Sequence, residues 1–326
     1  MKARFVLHVG PRRVELRERE VESPGPGQVT VETIFSGISS GTELLAYRGE
    51  VPPETALDEG IDALSGTFGY PFVYGYSCVG RADDGDLVFA FHPHQDVFTA
   101  SEDSLIRLPA VDPRAATLFP LVETALQVTL DAAPGYGDTV VVLGLGVLGT
   151  LTALLLERTG ARTVTAEPLP WRRKLAASLG LRAVPPEEVA EVVRRETGGA
   201  GARTVIDATG SPDAPGPALA LLAHEGTLLI ASWLGTKDAT LPLGRHFHRR
   251  RLTIRSTQVS TIPAALSGGW TIERRRREAA ALLAELPLES LATHTFPVER
   301  VAEAFAALDR GEEGVMHAAL SYGRGA

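Results

Sequence analysis

The stretch Thr139-Val140-Val141-Val142-Leu143-Gly144-Leu145-Gly146-Val147-Leu148-Gly149 decides the fold. Its first five residues are an apolar, β-branched run, the pattern of a parallel strand buried on both faces. Three glycines follow in the spacing Gly-x-Gly-x-x-Gly, and residues Gly149 to Arg158 then read as a helix. Ala161 to Ala166 reads as a second strand that ends in an acid, Glu167, 18 residues beyond Gly149. Six residues with three glycines mean little alone. Between a buried strand and a helix, with an acid at the end of the next strand, they predict a dinucleotide-binding turn.

Each position has a physical task. Gly144 permits the tight turn, Gly146 keeps a Cβ away from the pyrophosphate, and Gly149 lets helix and strand approach. Val147 and Leu148 open the helix, whose unpaired N–H groups and positive dipole end face the phosphates. Glu167 is placed to accept both hydroxyls of the adenosine ribose and to repel a 2′-phosphate, which favours NAD(H). Arg172 and Arg173 follow closely and leave NADP(H) open.

Toward the C-terminus, strand-like and helix-like segments alternate. Trp171 to Leu179 and Pro185 to Arg195 read as helices, Ala218 to Ala223 as helix-forming, and Thr204 to Ala208 and Thr227 to Ala231 as strands. That order predicts an α/β fold with a Rossmann-type doubly wound parallel sheet. Ligands lie beyond the carboxyl ends of such strands, so Ala208, Thr209 and Gly210 are expected along the cofactor. Trp233, at the next strand end, reads equally as a neighbour of the nicotinamide or as a core or interface residue. Arg251 to Arg255 alternates like an edge strand and predicts a homodimer formed through Leu252 to Val259.

Toward the N-terminus the pattern changes. Short β-rich runs (Val29 to Phe35, Phe72 to Arg81, Leu87 to Phe91) alternate with turn residues. Glu50 to Gly69 lacks a period and reads as a long loop of the kind that borders binding sites. After Leu291 the chain is irregular again, with a helix over Val298 to Asp309 and a strand over His317 to Tyr322. Two domains are expected: residues 1–117 with 292–326, irregular and mostly β, and residues 118–291, which bind the dinucleotide.

Composition narrows the function. A net charge of −8 over 326 residues argues against a nucleic-acid partner. The basic runs Arg249 to Arg251 and Arg274 to Arg277 read as solvated faces, the second as a helix start. No apolar stretch reaches the ~18 residues that span a bilayer, and no signal core precedes the first strand, so a cytoplasmic location is expected. Cys78 is the single cysteine, which excludes an intramolecular disulfide framework.

Gly37-Ile38-Ser39-Ser40-Gly41-Thr42-Glu43, followed by Tyr47-Arg48-Gly49, is similar to the first zinc-ligand segment of the medium-chain dehydrogenase/reductase superfamily. Pro71-Phe72-Val73-Tyr74-Gly75-Tyr76-Ser77 resembles its Gly-His-Glu segment, and the organisation of the whole chain resembles that family's. Gly41-Thr42-Glu43, Glu123-Thr124 and Ser256-Thr257-Gln258-Val259 most resemble a subgroup that includes bacteriochlorophyllide dehydrogenases. The resemblance implies a GroES-like catalytic domain beside the Rossmann domain, and NAD(P)-dependent hydride transfer on a small organic substrate.

It also implies where the family pattern is broken. Ser40 stands at the first zinc-ligand position, Tyr76 at the second with Ser77 beside it, and Phe119 at the third. No metal is expected, because zinc takes thiolate, imidazole or carboxylate ligands. The single cysteine also rules out the four-cysteine structural zinc lobe of many alcohol dehydrogenases. Leu45 replaces the histidine of the family's proton relay, whereas Thr42 keeps its hydroxyl. The pairs His92/His94 and His246/His248 lack an obvious third ligand. Without a Lewis acid, a hydrogen-bond donor must stabilise the developing oxyanion or enolate. The candidates are Ser40, Thr42, Tyr76, Glu123 and Thr124, with His94 as a looser one, and Thr124 is also expected to bind the cofactor. Glu43 and Tyr47 are expected as scaffold. Tyr76 also reads as filler of the vacated volume. A zinc-independent reductase or dehydrogenase leads, ahead of a non-catalytic dinucleotide sensor or scaffold and of a lyase or isomerase that uses NAD transiently.

Overall fold

In the computed structural model, which describes residues 1–323, the chain forms two compact units. One comprises Met1–Pro120 together with the chain from Arg276 onward, and the other Leu121–Arg275. These limits lie close to residue 118 at the first junction. At the second they fall before the expected 291, within the helix Ile272–Leu282.

The second unit is built on six parallel strands: β1 (Thr139–Leu143), β2 (Arg162–Ala166), β3 (Ala183–Val184), β4 (Ala202–Asp207), β5 (Leu222–Ile230) and β6 (Thr253–Ser256). Their order across the sheet is β3-β2-β1-β4-β5-β6. The chain leaves β1 first to one side and then to the other, so the crevice between β1 and β4 is the point where a dinucleotide binds in such sheets. The β-branched run of β1 serves both faces. Val141 packs with Val205 and Leu228 on one side, and Val140 and Val142 pack with Ile206 and Leu229 on the other. Each of these side chains contributes roughly 1.5–3 kcal/mol when withdrawn from water. At the outer edge, β6 is largely exposed, as an edge strand over this stretch would be.

The first unit is β-rich and irregular. Lys2–Gly10 pairs with Arg13–Glu20 and Phe72–Val73. A seven-stranded sheet is organised around the long strand Gln28–Ile38, which pairs with Cys78–Ala82, Val97–Ser101 and Ala318–Ser321.

Two segments depart from the sequence reading. Phe72 to Arg81 is not one strand, because Gly75 has φ +106° and lies against the His94 ring, where a Cβ would stand 2.6 Å from a ring carbon. Ala218 to Ala223 is not one helix, since the chain passes through a turn at Leu219–Leu221 and enters β5 at Leu222. Among the described residues no helix is long and apolar enough to cross a membrane.

Candidate functional site

The glycine-rich turn closes β1 and opens the helix Val147–Glu157, and its three glycines meet different constraints. Gly144 has φ +86°, and a Cβ there would stand 2.9 Å from the Ala208 carbonyl oxygen and the Thr209 Cα. At Gly149 a Cβ would stand 1.9 Å from the Gly144 carbonyl oxygen, so its task is to clear the turn itself. Gly146 is different: it caps the helix in an extended conformation, and its Cβ direction is open, with only the Arg172 Nη1 as near as 4.0 Å. Two glycines are required by the protein, and the third leaves a cradle. That cradle, at a helix N-terminus, fits a pyrophosphate.

Glu167 lies beside this turn, 2% exposed. Its Oε2 accepts the Leu145 N–H at 2.8 Å and its Oε1 the Leu169 N–H at 2.9 Å. The carboxylate therefore ties the end of β2 to the glycine turn, a task the sequence did not reveal. An ionised carboxylate offers about four lone-pair positions, which leaves capacity for ribose hydroxyls. The Arg172 Nη1 stands 3.9 Å from Oε2. Arg173 turns back and donates to the carbonyls of Glu167 and Pro168. At the end of β4, Asp207 is fully buried, and its Oδ1 accepts both the N–H and the hydroxyl of Thr209. Gly210 donates its N–H to the Ser232 Oγ. Ala208, Thr209 and Gly210 thus form a clamped turn packed on Gly144. Trp233 is 44% exposed, and Thr124 is half-buried on the helix Phe119–Ala132.

Glu123 is placed differently from a catalytic acid. Its Oε1 lies 3.0 Å from the Nε and Nη2 of Arg275, and both side chains are buried. Arg275 also donates to the Gln127 Oε1 at 2.6 Å and to the carbonyl of Val259. The run Arg274 to Arg277 does start a helix, but Arg275 points inward and is 1% exposed. A buried carboxylate needs a cation, and this one takes it from a run that looked solvated.

In the first unit, Tyr76 is half-buried, with its ring 6.1 Å from that of Tyr74. Burial, reinforced by the Glu43 charge, raises its pKa well above the ordinary phenol value. Thr42 opens the helix Thr42–Arg48 and is half-buried, while Ser40 is exposed. His94 is fully buried, with both ring nitrogens engaged: Nε2 pairs with the Glu43 Oε2 at 2.7 Å and Nδ1 with the Ser36 Oγ at 2.7 Å. Ser36 continues to the Tyr322 hydroxyl at 2.8 Å, and the Glu43 Oε1 accepts the Ser39 N–H at 2.8 Å. His94 is therefore a brace under the Ser39–Thr42 turn and not a group presented to substrate. Glu43 braces backbone as expected, and Tyr47 packs on Phe305 as scaffold.

The three positions implied as zinc ligands hold no zinc-binding chemistry. Ser40 is a hydroxyl, Tyr76 a phenol shifted further from ionisation, and Phe119 a buried ring packed 4.5 Å from Phe89. These residues do not fit the metal. Among the described residues no three of His, Cys, Asp or Glu converge elsewhere. His92 stacks on Phe98, and His246 and His248 are exposed. Cys78 is buried, its thiol pushed up to about 12, as suits an inert core residue.

Residues 147–271 match the family model described as zinc-binding dehydrogenase. The chain is 26% identical to the 2-desacetyl-2-hydroxyethyl bacteriochlorophyllide A dehydrogenase of Cereibacter sphaeroides, over 94% of each chain. It is 24% identical to the L-galactonate-5-dehydrogenase of Escherichia coli, over 90% of this chain and 92% of that one. These matches support the resemblance to the medium-chain dehydrogenase/reductase superfamily. The similarity extends over both units. An alcohol dehydrogenase of Escherichia coli CFT073, solved with NADH, superposes with a TM-score of 0.78 at 18% identity, over 98% of this chain and 99% of that one.

Proposed function

We propose that this chain is a zinc-independent NAD(P)(H)-dependent oxidoreductase acting on a small organic carbonyl, alcohol or activated C=C bond, with NAD(H) favoured. One observation carries the reading. The chain keeps an open pyrophosphate cradle at Gly146, while hydroxyl, phenol and phenyl groups stand where the family's resemblance implies zinc ligands. Bound NAD(P)H supplies the hydride. Tyr76 supplies a hydrogen bond in the place of a metal: its phenol, shifted further from ionisation by burial, stays protonated at neutral pH and can donate. Ser39 and Thr42 supply further hydroxyls on the neighbouring turn. His94 and Glu43, sealed beneath, hold the turn that carries them. The preference for NAD(H) is supported by the Glu167 carboxylate, fixed beside the turn by two N–H groups.

NADH consumption against a panel of ketones and enones tests the reading. Turnover of at least one compound is expected. Dinucleotide binding with no oxidation across the panel supports a sensor or scaffold, and net conversion without cofactor consumption supports a lyase or isomerase. Calorimetric titration with both cofactors should show NADH binding more tightly; tighter NADPH would mean that Arg172 outweighs Glu167.

A further inference from the structure

From Gly49 to Gly80 the chain carries Glu50, Glu54, Asp58, Glu59 and Asp62, and not one Lys, Arg or His. This acidic stretch also supplies the aromatic bed under Tyr76. Phe68, Phe72 and Tyr74 are buried together, with Ile61 and Tyr76 packed against them. The rings of Phe68 and Tyr74 are 5.0 Å apart, and those of Tyr74 and Tyr76 6.1 Å, in edge-to-face pairs. Such rings present electron-rich faces, which attract cations and repel anions.

The carboxylates nearest the bed are held in place. The Asp58 Oδ1 accepts the N–H of Gly60 at 2.7 Å and of Ile61 at 2.9 Å. Glu43 is locked from below by Ser39 and His94. Both charges reach Tyr74 and Tyr76, and both make the two phenols harder to ionise. At either end of the stretch the flanking arginines are engaged elsewhere: Arg48 is bound to Asp309 at 2.5 Å, and Arg81 donates to the Gly85 carbonyl. A negative group brought to Tyr76 would meet two fixed carboxylates and the negative faces of aromatic rings.

We infer that the substrate presents no negative charge to the Tyr76 wall: the enzyme selects neutral or ammonium-bearing carbonyl compounds and alcohols, and discriminates against carboxylate-bearing ones. The inference rests on the reading of Tyr76 as the substrate-facing donor. Asp58 is then a specificity-determining residue that touches neither cofactor nor reacting atoms.

Matched ligands test it. Cyclohexanone, 2-cyclohexenone and acetophenone are each used plain, with a carboxylate and with a primary amine. Binding to the NADH-loaded protein is measured by calorimetry, and kcat/KM wherever turnover occurs. Within each series the carboxylate is expected to be weakest and the amine at least equal to the neutral compound, with the gap narrowing as salt is added. Asp58→Asn keeps the oxygen that accepts the Gly60 and Ile61 N–H groups and removes only the charge. It should improve the carboxylates about threefold, the scale of a partly exposed charge interaction, and leave the neutral compounds unchanged. Carboxylates that bind or react as well as their neutral partners, or an Asp58→Asn variant that moves all three classes alike, would overturn the inference alone. Binding and turnover by no member of any series would overturn it together with the oxidoreductase reading on which it rests.

Discussion

The glycine turn at residues 144–149 and the Tyr76 wall are constrained in opposite ways. At the turn, backbone does the work: Gly144 and Gly149 are glycines because carbonyl oxygens occupy the space of a side chain. At the wall, side chains make the difference. Under the proposed function, the hydroxyl of Ser40, the phenol of Tyr76 and the ring of Phe119 stand where the resemblance implies zinc ligands. The comparison teaches that a site built from backbone tolerates almost no substitution, whereas a site built from side chains can change its reaction without changing its fold.

Within the turn the comparison can be broken most severely. Gly149→Ala should cost about 3 kcal/mol or more, since the added methyl meets a backbone oxygen that cannot rotate away. Gly146→Val should lower stability by no more than about 1 kcal/mol, because its Cβ direction is empty of protein. Yet it should abolish dinucleotide binding, since its side chain fills the cradle. Denaturant melts and cofactor titration of the two variants separate these effects. A Gly149→Ala protein of normal stability, or a Gly146→Val protein that still binds NADH, would dissolve the distinction between framework and cradle glycines.

At the wall, Tyr76→Phe keeps the ring on its aromatic bed and deletes only the hydroxyl. Loss of one oxyanion donor typically costs about a hundredfold or more in turnover, so kcat should fall by that factor while NADH affinity holds. Near-normal turnover would make Tyr76 a filler of vacated volume and move the donor to Thr42.

How much of this was legible in the sequence follows from the same contrast. The doubly wound parallel sheet and the glycine turn were readable because they depend on local pattern: a β-branched run, glycine spacing, an acid at a strand end. The roles of Glu123, His94 and Arg275 were not, because each depends on a partner far along the chain. Glu123 meets an arginine 152 residues away, and His94 meets Glu43 across 51 residues. A run of four arginines gives no sign that its second member turns inward. Glu167 was recognised as an acid at the right place, but its two N–H partners lie in turns whose geometry sequence alone does not provide.

A smaller effect sharpens the comparison from the stability side. His8 is fully buried between Phe72 and Phe305 with neither ring nitrogen hydrogen-bonded, and burial lowers its pKa to about 3. An unfolded chain takes up that proton near pH 6.5 and the folded one refuses it, so the stability it confers is present above pH 6.5 and is lost as pH falls toward 3. His8 alone should remove about 2 kcal/mol between pH 7 and pH 5. His317 and His92, each lowered to about 4 chiefly by burial, act in the same direction. His8→Phe should flatten this slope in denaturant melts; an unchanged slope would assign the acid sensitivity elsewhere.

The central claim is that the chemistry proceeds without zinc, and metal content tests it most directly. Protein purified without added metal should contain no stoichiometric zinc by elemental analysis and should keep its NADH-dependent turnover in a strong chelator, because Ser40, Tyr76 and Phe119 give the metal nothing to bind. One zinc per chain, removed by the chelator together with activity and restored with it, would contradict the account.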